Sequence, residues 1–171
     1  KKLDDIAYPA RDLFTNKFPI LKNHGIKHFS AHRGCPHKCT YCFNHGYKKI
    51  HTEEGMKGRE YTSFRSVDHV IEELIILAKK YKFLDFFFND STLTYNKKWM
   101  AAFCQELIDA NLDVVWSCYA TAHSMNEEVL QQMKRAGCWN IFYGVETNDM
   151  EVMKNILVNR KNKNLIFIIL S

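Results

Sequence analysis

Apolar and polar positions in this chain follow two alternating periods. Residues 67–81 place Val67, Val70, Ile71, Leu74, Ile75 and Ala78 at helical spacing with polar residues between them, which predicts an amphipathic helix. Ser66 stands where an N-cap belongs. Residues 83–88 are apolar except for Asp85, the length and filling of a strand buried on both faces of a parallel sheet. The alternation then repeats. Residues 97–109 read as a helix capped by Asn96, with Trp99, Met100, Phe103, Leu107 and Ile108 as its buried stripe, and 112–117 as the next strand. Ser124-Met125-Asn126-Glu127 reads as a capping box opening a helix with Val129, Leu130 and Met133 inward, and Gly137 as its left-handed stop. A strand at 139–143 follows, then a helix opened by Asn148-Asp149-Met150-Glu151, and a fifth strand at 165–170. Upstream, 27–31 is a short strand.

Strand–helix–strand repetition with short connections predicts a parallel sheet with right-handed crossovers. The expected fold is α/β, a partial (β/α) TIM-barrel-like core with outer helices. A doubly wound open sheet is the alternative, but no G-x-G-x-x-G follows any strand, which argues against a dinucleotide site. In such folds chemistry gathers at the C-terminal ends of the strands. Here those ends carry the loop after residue 31, Asn89-Asp90-Ser91-Thr92, Ser117-Cys118 and Gly144-Val145-Glu146.

Composition narrows the class without naming a function. With 171 residues, 46% of them hydrophobic and 25% charged, the chain has the make-up of one globular domain with a sizeable core. Seven Gly and three Pro leave no flexible interior linker. The net charge of +5 is modest, and the basic residues read as scattered apart from Arg160, Lys161 and Lys163. A solvated surface is expected, and nucleic acid is not an expected partner. The longest apolar run, 165–170, is too short to span a bilayer. No signal peptide is evident, so a cytoplasmic location is expected.

The candidate chemistry lies in Gly34-Cys35-Pro36-His37-Lys38-Cys39-Thr40-Tyr41-Cys42, a C-x3-C-x2-C cluster. Three close thiolates can hold an iron–sulfur cubane that normally takes four protein ligands, leaving one iron open to a small chelator. Zinc is the alternative, with His32, His37 or His45 closing a tetrahedral site, although the second cysteine pair usual in structural zinc sites is missing. A disulfide framework suits a long chain rich in Lys and Glu less well. Cys104 falls on a buried helical stripe and reads as core.

The stretch His32 to Cys42 resembles the first-strand loop of the radical SAM proteins, which use S-adenosylmethionine (SAM). Met133-Lys134-Arg135-Ala136-Gly137-Cys138 and Phe142-Tyr143-Gly144-Val145-Glu146-Thr147 look like the third helix and fourth strand of the subgroup with an upstream cobalamin-binding domain. The opening 3–13 looks like the linker after that domain. The resemblance implies that Cys35, Cys39 and Cys42 ligate a [4Fe–4S] cluster, whose fourth iron is chelated by SAM. Reductive cleavage of SAM would then give a 5′-deoxyadenosyl radical that abstracts hydrogen from a small-molecule substrate. Tyr41 would lie beside the adenine, and Gly34 would let the backbone approach the cluster. Asn89 and Asp90 would contact the methionine end of SAM, Glu146 its ribose or methionine end, and Ser117 stands at a further strand end facing the cofactor. The resemblance also implies an electron donor such as flavodoxin or ferredoxin, and cobalamin in a longer protein, with methyl transfer or ring rearrangement as leading reactions. A non-catalytic module stabilised by zinc or a cluster is the rival. The organisation expected is a linker at 1–24, a partial core at 25–156, and a divergent tail or truncated fifth strand at 157–171. Two positions depart from the subgroup: Asn89-Asp90 replaces an acidic pair, and Thr121 stands where an Arg is usual.

Overall fold

A computed structural model describes residues 2–121, 124–144, 147, 149, 151 and 152. Four parallel strands form the central sheet in the order β1-β4-β5-β6: β1 (Ile26–Phe29), β4 (Asp85–Phe88), β5 (Val115–Ala120) and β6 (Cys138–Tyr143). A second, two-stranded antiparallel sheet pairs β2 (His32–Arg33) with β3 (Ser63–Phe64). Helices α5 (Val67–Tyr81), α6 (Lys97–Asp109) and α7 (Glu127–Arg135) make the crossovers. Between β2 and β3 lie α3 (Asn44–Glu53) and α4 (Gly58–Tyr61), and the N-terminal segment holds α1 (Asp12–Thr15) and α2 (Pro19–Asn23). Consecutive parallel strands with helical returns are the partial barrel that the alternation predicts.

Side-chain periodicity explains the layers. Phe86 and Phe88 of β4 and Trp116 and Cys118 of β5 point to one face, where α5, α6 and α7 bury them with Leu74, Phe103 and Met133. Rings meet edge-on in this core: Phe88 to Phe103 at 5.3 Å and Phe103 to Trp116 at 5.5 Å between centroids. The Trp116 indole donates to the Ala136 carbonyl at 2.8 Å, so its one polar atom is satisfied. The opposite face carries Phe87, Tyr119 and Phe142, with Tyr119 and Phe142 still exposed. Among the described residues, strand β4 is therefore buried on one face and half-buried on the other, where full burial on both was expected.

Helices α5 and α6 have the bounds their periodicity predicts, with Ser66 accepting from the His69 N–H and Asn96 from the Trp99 N–H. Helix α7 is capped by Asn126, which accepts from the Val129 N–H. Ser124 instead bonds the Thr121 carbonyl and the Thr94 hydroxyl, so the capping box expected at 124–127 does not form. Ile108 is exposed at the edge of its helical stripe. Gly137 has φ +83°, and a Cβ there would sit 3.0 Å from the Val114 carbonyl, so a left-handed glycine is required. The third sheet strand is displaced from 112–117 to Val115–Ala120: Asn111 turns with φ +47°, and sheet pairing begins where the Val115 N–H reaches the Leu84 carbonyl at 2.8 Å. The strand expected at 165–170 and the tail at 157–171 lie outside the described residues. Among those described, no helix is long and apolar enough to cross a membrane.

Candidate metal centre

The cysteine loop leaves the end of β1, and its stem is held from two sides. On one side is Asp90, buried just past the end of β4. Its carboxylate accepts the N–H of His32 at 2.6 Å, the N–H of Ala31 at 2.9 Å and the Ser30 hydroxyl at 3.1 Å. A carboxylate receiving several backbone N–H groups in a dry site forms strong, directional bonds. The buried His32 ring packs against Phe64 with centroids 4.7 Å apart.

On the other side is Glu73, 2% exposed on α5. It pairs with Arg65 at 2.7 Å and Arg11 at 3.0 Å. Those guanidiniums also donate to the chain: Arg65 to the Ser30 carbonyl at 3.0 Å and Arg11 to the His28 carbonyl at 2.9 Å. Asp90 thus fixes the N–H groups of the stem, and Glu73 fixes its carbonyls through two arginines. The same network docks the N-terminal segment. Tyr8 stacks on His69 at 4.6 Å and its hydroxyl donates to the His69 carbonyl, while Asp4 accepts the Ser66 N–H at 2.9 Å. Burial, followed by the hydrogen bond to Glu72, pushes the Tyr8 phenol well above its usual range. Lys27 closes α2, its ammonium donating to the carbonyls of Leu21, Lys22 and His24.

Within the loop, Gly34 adopts φ +74°. A Cβ there would overlap the Tyr61 carbonyl oxygen and lie 2.8 Å from the Tyr61 ring. The close approach that requires glycine is to Tyr61. The Cys42 N–H returns to the Cys39 carbonyl at 3.0 Å, and α3 begins two residues later. Asn44 ties this turn down: its Nδ2 lies 3.6 Å from Cys42 Sγ and 3.5 Å from Ser91 Oγ, and its carbonyl accepts the Tyr61 hydroxyl at 2.9 Å.

Cys35, Cys39 and Cys42 are half-buried free thiols. Burial pushes the Cys35 thiol up; the His37 N–H opposes this, and the charges of Cys39 and Cys42 add to it. Burial, and then the charges of Cys35 and Cys42, raise the Tyr61 phenol as well. Among the described residues no three Cys, His, Asp or Glu side chains gather closely enough to hold a single metal ion. Three thiols on one short, anchored loop, with neighbouring backbone drawn in at Gly34, fit a multi-iron cluster.

The remaining sequence-predicted residues separate. Tyr41 sits exposed on the loop rim. Asn89 is exposed, with a 3.2 Å hydrogen bond in which the His28 ring nitrogen donates to its side-chain oxygen. Ser117 lies in the middle of β5, buried and in register with Phe87, so it is not at a strand end. Glu146 lies outside the described residues. Cys118 is buried, and its hydrogen bond with Cys138, followed by burial, raises its thiol well above the usual range, which places it in the core. Cys104 is core too, 3.8 Å from the Met100 sulfur. Tyr61, Asn44, Glu73 and Arg65 were not foreseen. Only Glu73 carried a signal: an acid on an otherwise apolar helical face.

The model of the Radical SAM superfamily matches residues 29–166. A Pyrococcus horikoshii protein named as an uncharacterised methyltransferase is 29% identical over 158 residues, covering 91% of this chain and 32% of its own length. The anaerobic magnesium-protoporphyrin IX monomethyl ester cyclase of Rubrivivax gelatinosus is 27% identical over 130 residues, covering 75% of this chain and 21% of that protein. The chain therefore spans about a third of the first relative and about a fifth of the second. Among solved structures, the radical S-adenosylmethionine methyltransferase TsrM of Kitasatospora setae, in a form with cobalamin and a [4Fe–4S] cluster bound, aligns with TM-score 0.66 at 16% identity, covering 83% of this chain and 25% of its own. The cobalamin-dependent S-adenosylmethionine radical enzyme OxsB aligns with TM-score 0.56 at 15% identity, covering 75% of this chain and 19% of its own. These likenesses establish a shared fold.

Proposed function

The chain belongs to the radical SAM superfamily, and on that premise we propose that it is the cluster-bearing core of a larger radical SAM enzyme. The observation that carries the proposal is the loop of three half-buried thiols whose stem is fixed by Asp90 and Glu73. Cys35, Cys39 and Cys42 would hold a [4Fe–4S] cluster with one iron left for SAM. When bound, that pair would supply one-electron reductive cleavage of the SAM sulfonium. The chain's own residues bind and orient. Asp90 holds the Ala31 and His32 N–H groups, and Gly34 lets Tyr61 close against the loop. Tyr41 on the rim would lie beside the adenine. Asn89, Ser117 and Glu146 remain proposed contacts to SAM; Asp90, already engaged by the chain, acts on SAM through the loop.

The working unit is the core at 25–156, with 1–24 as a linker. A small-molecule substrate and a one-electron donor are its proposed partners. Methyl transfer is the favoured reaction, supported by the relative named as a methyltransferase and by TsrM, with cobalamin supplied by a further domain; ring formation, as in the cyclase relative, is the second. The test is electron paramagnetic resonance of the anaerobically reconstituted, dithionite-reduced protein before and after SAM is added. A changed signal is expected. A reduced-cluster signal unaffected by SAM overturns the open-iron assignment.

A further inference from the structure

Each strand of the central sheet carries a ring at its penultimate residue: His28 of β1, Phe87 of β4, Tyr119 of β5 and Phe142 of β6. All four lie on the face away from α5, α6 and α7. They form one continuous row. Ring centroids are 5.8 Å apart from His28 to Phe87, 5.1 Å from Phe87 to Tyr119 and 5.6 Å from Phe87 to Phe142. Phe87 is half-buried, and Tyr119 and Phe142 are each 44% exposed. Two residues past the rings stand Ser30, Asn89, Thr121 and Gly144, none of them a large apolar residue. Interior layers of a (β/α) barrel are usually built from branched aliphatic side chains, and these four positions hold none. Two polar atoms of the row are also left open. His28 Nδ1 donates to Asn89 Oδ1 at 3.2 Å, which leaves Nε2 as an acceptor, and the Tyr119 hydroxyl bonds no described residue.

We propose that this row is the wall on which the enzyme seats its substrate, and that it selects a flat, conjugated ring. The proposal rests on the radical SAM reading above and names the substrate class of that same site. Position supports it first. Asn89, which accepts from His28, adjoins Asp90, the residue that fixes the stem of the cysteine loop. At about 3.3 Å per residue, Phe87 lies within about 10 Å of Asp90 along the chain. Chemistry supports it next. Half-exposed rings offer π faces and edges, so a planar conjugated ligand gains from stacking what a puckered one of the same size does not. Ligand sites combine such apolar and aromatic surface with a few polar groups that fix orientation. His28 Nε2 and the Tyr119 hydroxyl are groups of that kind, and rings that only filled space would not need them. Size is the third count. The row crosses four strands spaced about 4.8 Å apart, wider than one purine, so it exceeds what the SAM adenine alone would cover.

The experiment measures binding of 2-naphthol and of decahydro-2-naphthol, the same skeleton without the flat π system, to the reconstituted chain by anaerobic equilibrium dialysis. The same proteins are reduced with dithionite and read by EPR with and without SAM. The wild type should bind 2-naphthol about tenfold more tightly than the saturated alcohol. Tyr119→Leu/Phe142→Leu keeps apolar side chains and removes two rings, and it should bring the two alcohols within about twofold of each other. Tyr119→Phe keeps the ring and should keep the preference. Trp139→Leu removes an exposed ring near the start of β6, away from the row, and should keep it too. The EPR change caused by SAM should be the same in all of them. Equal binding of the two alcohols by the wild type, or a preference that survives the double substitution, overturns the proposal and leaves the rings as filling. A preference lost in Trp139→Leu overturns it by showing that naphthol adsorbs to any exposed ring. Loss of the SAM effect in the double variant overturns it and gives the row to the SAM adenine. If SAM leaves the wild-type signal unchanged, the radical SAM reading fails and the substrate assignment falls with it; a normal SAM response without a ring preference confines the failure to the row.

Discussion

The backbone N–H of His32 lies 2.6 Å from Oδ1 of Asp90, so a residue at the end of β4 fixes the path of a loop that begins at β1. Two neighbouring strands are thereby coupled at the point where the chain turns toward its three thiols.

Removing that carboxylate leaves the Ala31 and His32 N–H groups buried and unpaired, and each hydrogen bond to a charged group contributes about 1.5–3 kcal/mol. Asp90→Ala should lower stability by about 3 kcal/mol in urea unfolding and cut iron content after reconstitution by more than about half. Asp90→Asn should lie between it and the wild type. If Asp90→Asn keeps full iron but SAM no longer alters its EPR signal, Asp90 contacts SAM directly.

Glu73→Gln tests the other side of the stem. It leaves Arg11 and Arg65 without their shared counter-charge in a buried site, and breaking a buried pair costs about 3–5 kcal/mol. The N-terminal segment should then loosen. Limited proteolysis should cut within 12–24 faster in the variant, whereas unchanged cleavage would show that Tyr8, Asp4 and Lys27 hold the segment without Glu73.

Much of this arrangement was legible in the sequence, for a physical reason. Helices α5 and α6 are long, periodic and capped by Ser66 and Asn96, so local and tertiary preferences agree. The three thiols were equally plain, because ligand spacing is a local property. Strand β5 was misplaced because apolar residues run continuously from Val114 to Trp116, and only the left-handed turn at Asn111 sets where pairing starts. The roles of Asp90 and Ser117 could not be read, since each depends on a partner from another strand: the stem of the loop for Asp90, Phe87 for Ser117. Tyr61 had no periodic context to mark it as the residue closing on Gly34.

Gly34→Ala should be severe for its size. It places a Cβ on a residue with φ +74°, which costs an L side chain about 1–2 kcal/mol, and against the Tyr61 backbone, which cannot rotate away. Gly55→Ala, with φ +96° and open space around it, carries the conformational cost alone. Iron content should fall sharply in the first variant and hold in the second. Equal retention would show that Tyr61 moves aside.

Burial, reinforced by the nearby Cys138, pushes the Cys104 thiol from its ordinary value near 9 up to about 12. The folded state therefore holds this proton more tightly than the unfolded one. The stabilisation is complete below pH 9 and lost as pH rises through about 12. At pH 8 iodoacetamide should leave Cys104 unmodified in the folded protein and alkylate it in urea, as read by peptide mass spectrometry. Modification in the folded state would show that α6 opens.

The central claim is that Cys35, Cys39 and Cys42 hold one [4Fe–4S] cluster. Iron and acid-labile sulfide analysis after anaerobic reconstitution tests it most directly, in the wild type, in each single Cys→Ala variant of the three, and in Cys104→Ala. The account predicts about four irons and four sulfides in the wild type and in Cys104→Ala, and loss of both in each loop variant. Stoichiometric zinc that survives iron reconstitution, or a full cluster in any of the three loop variants, would contradict it.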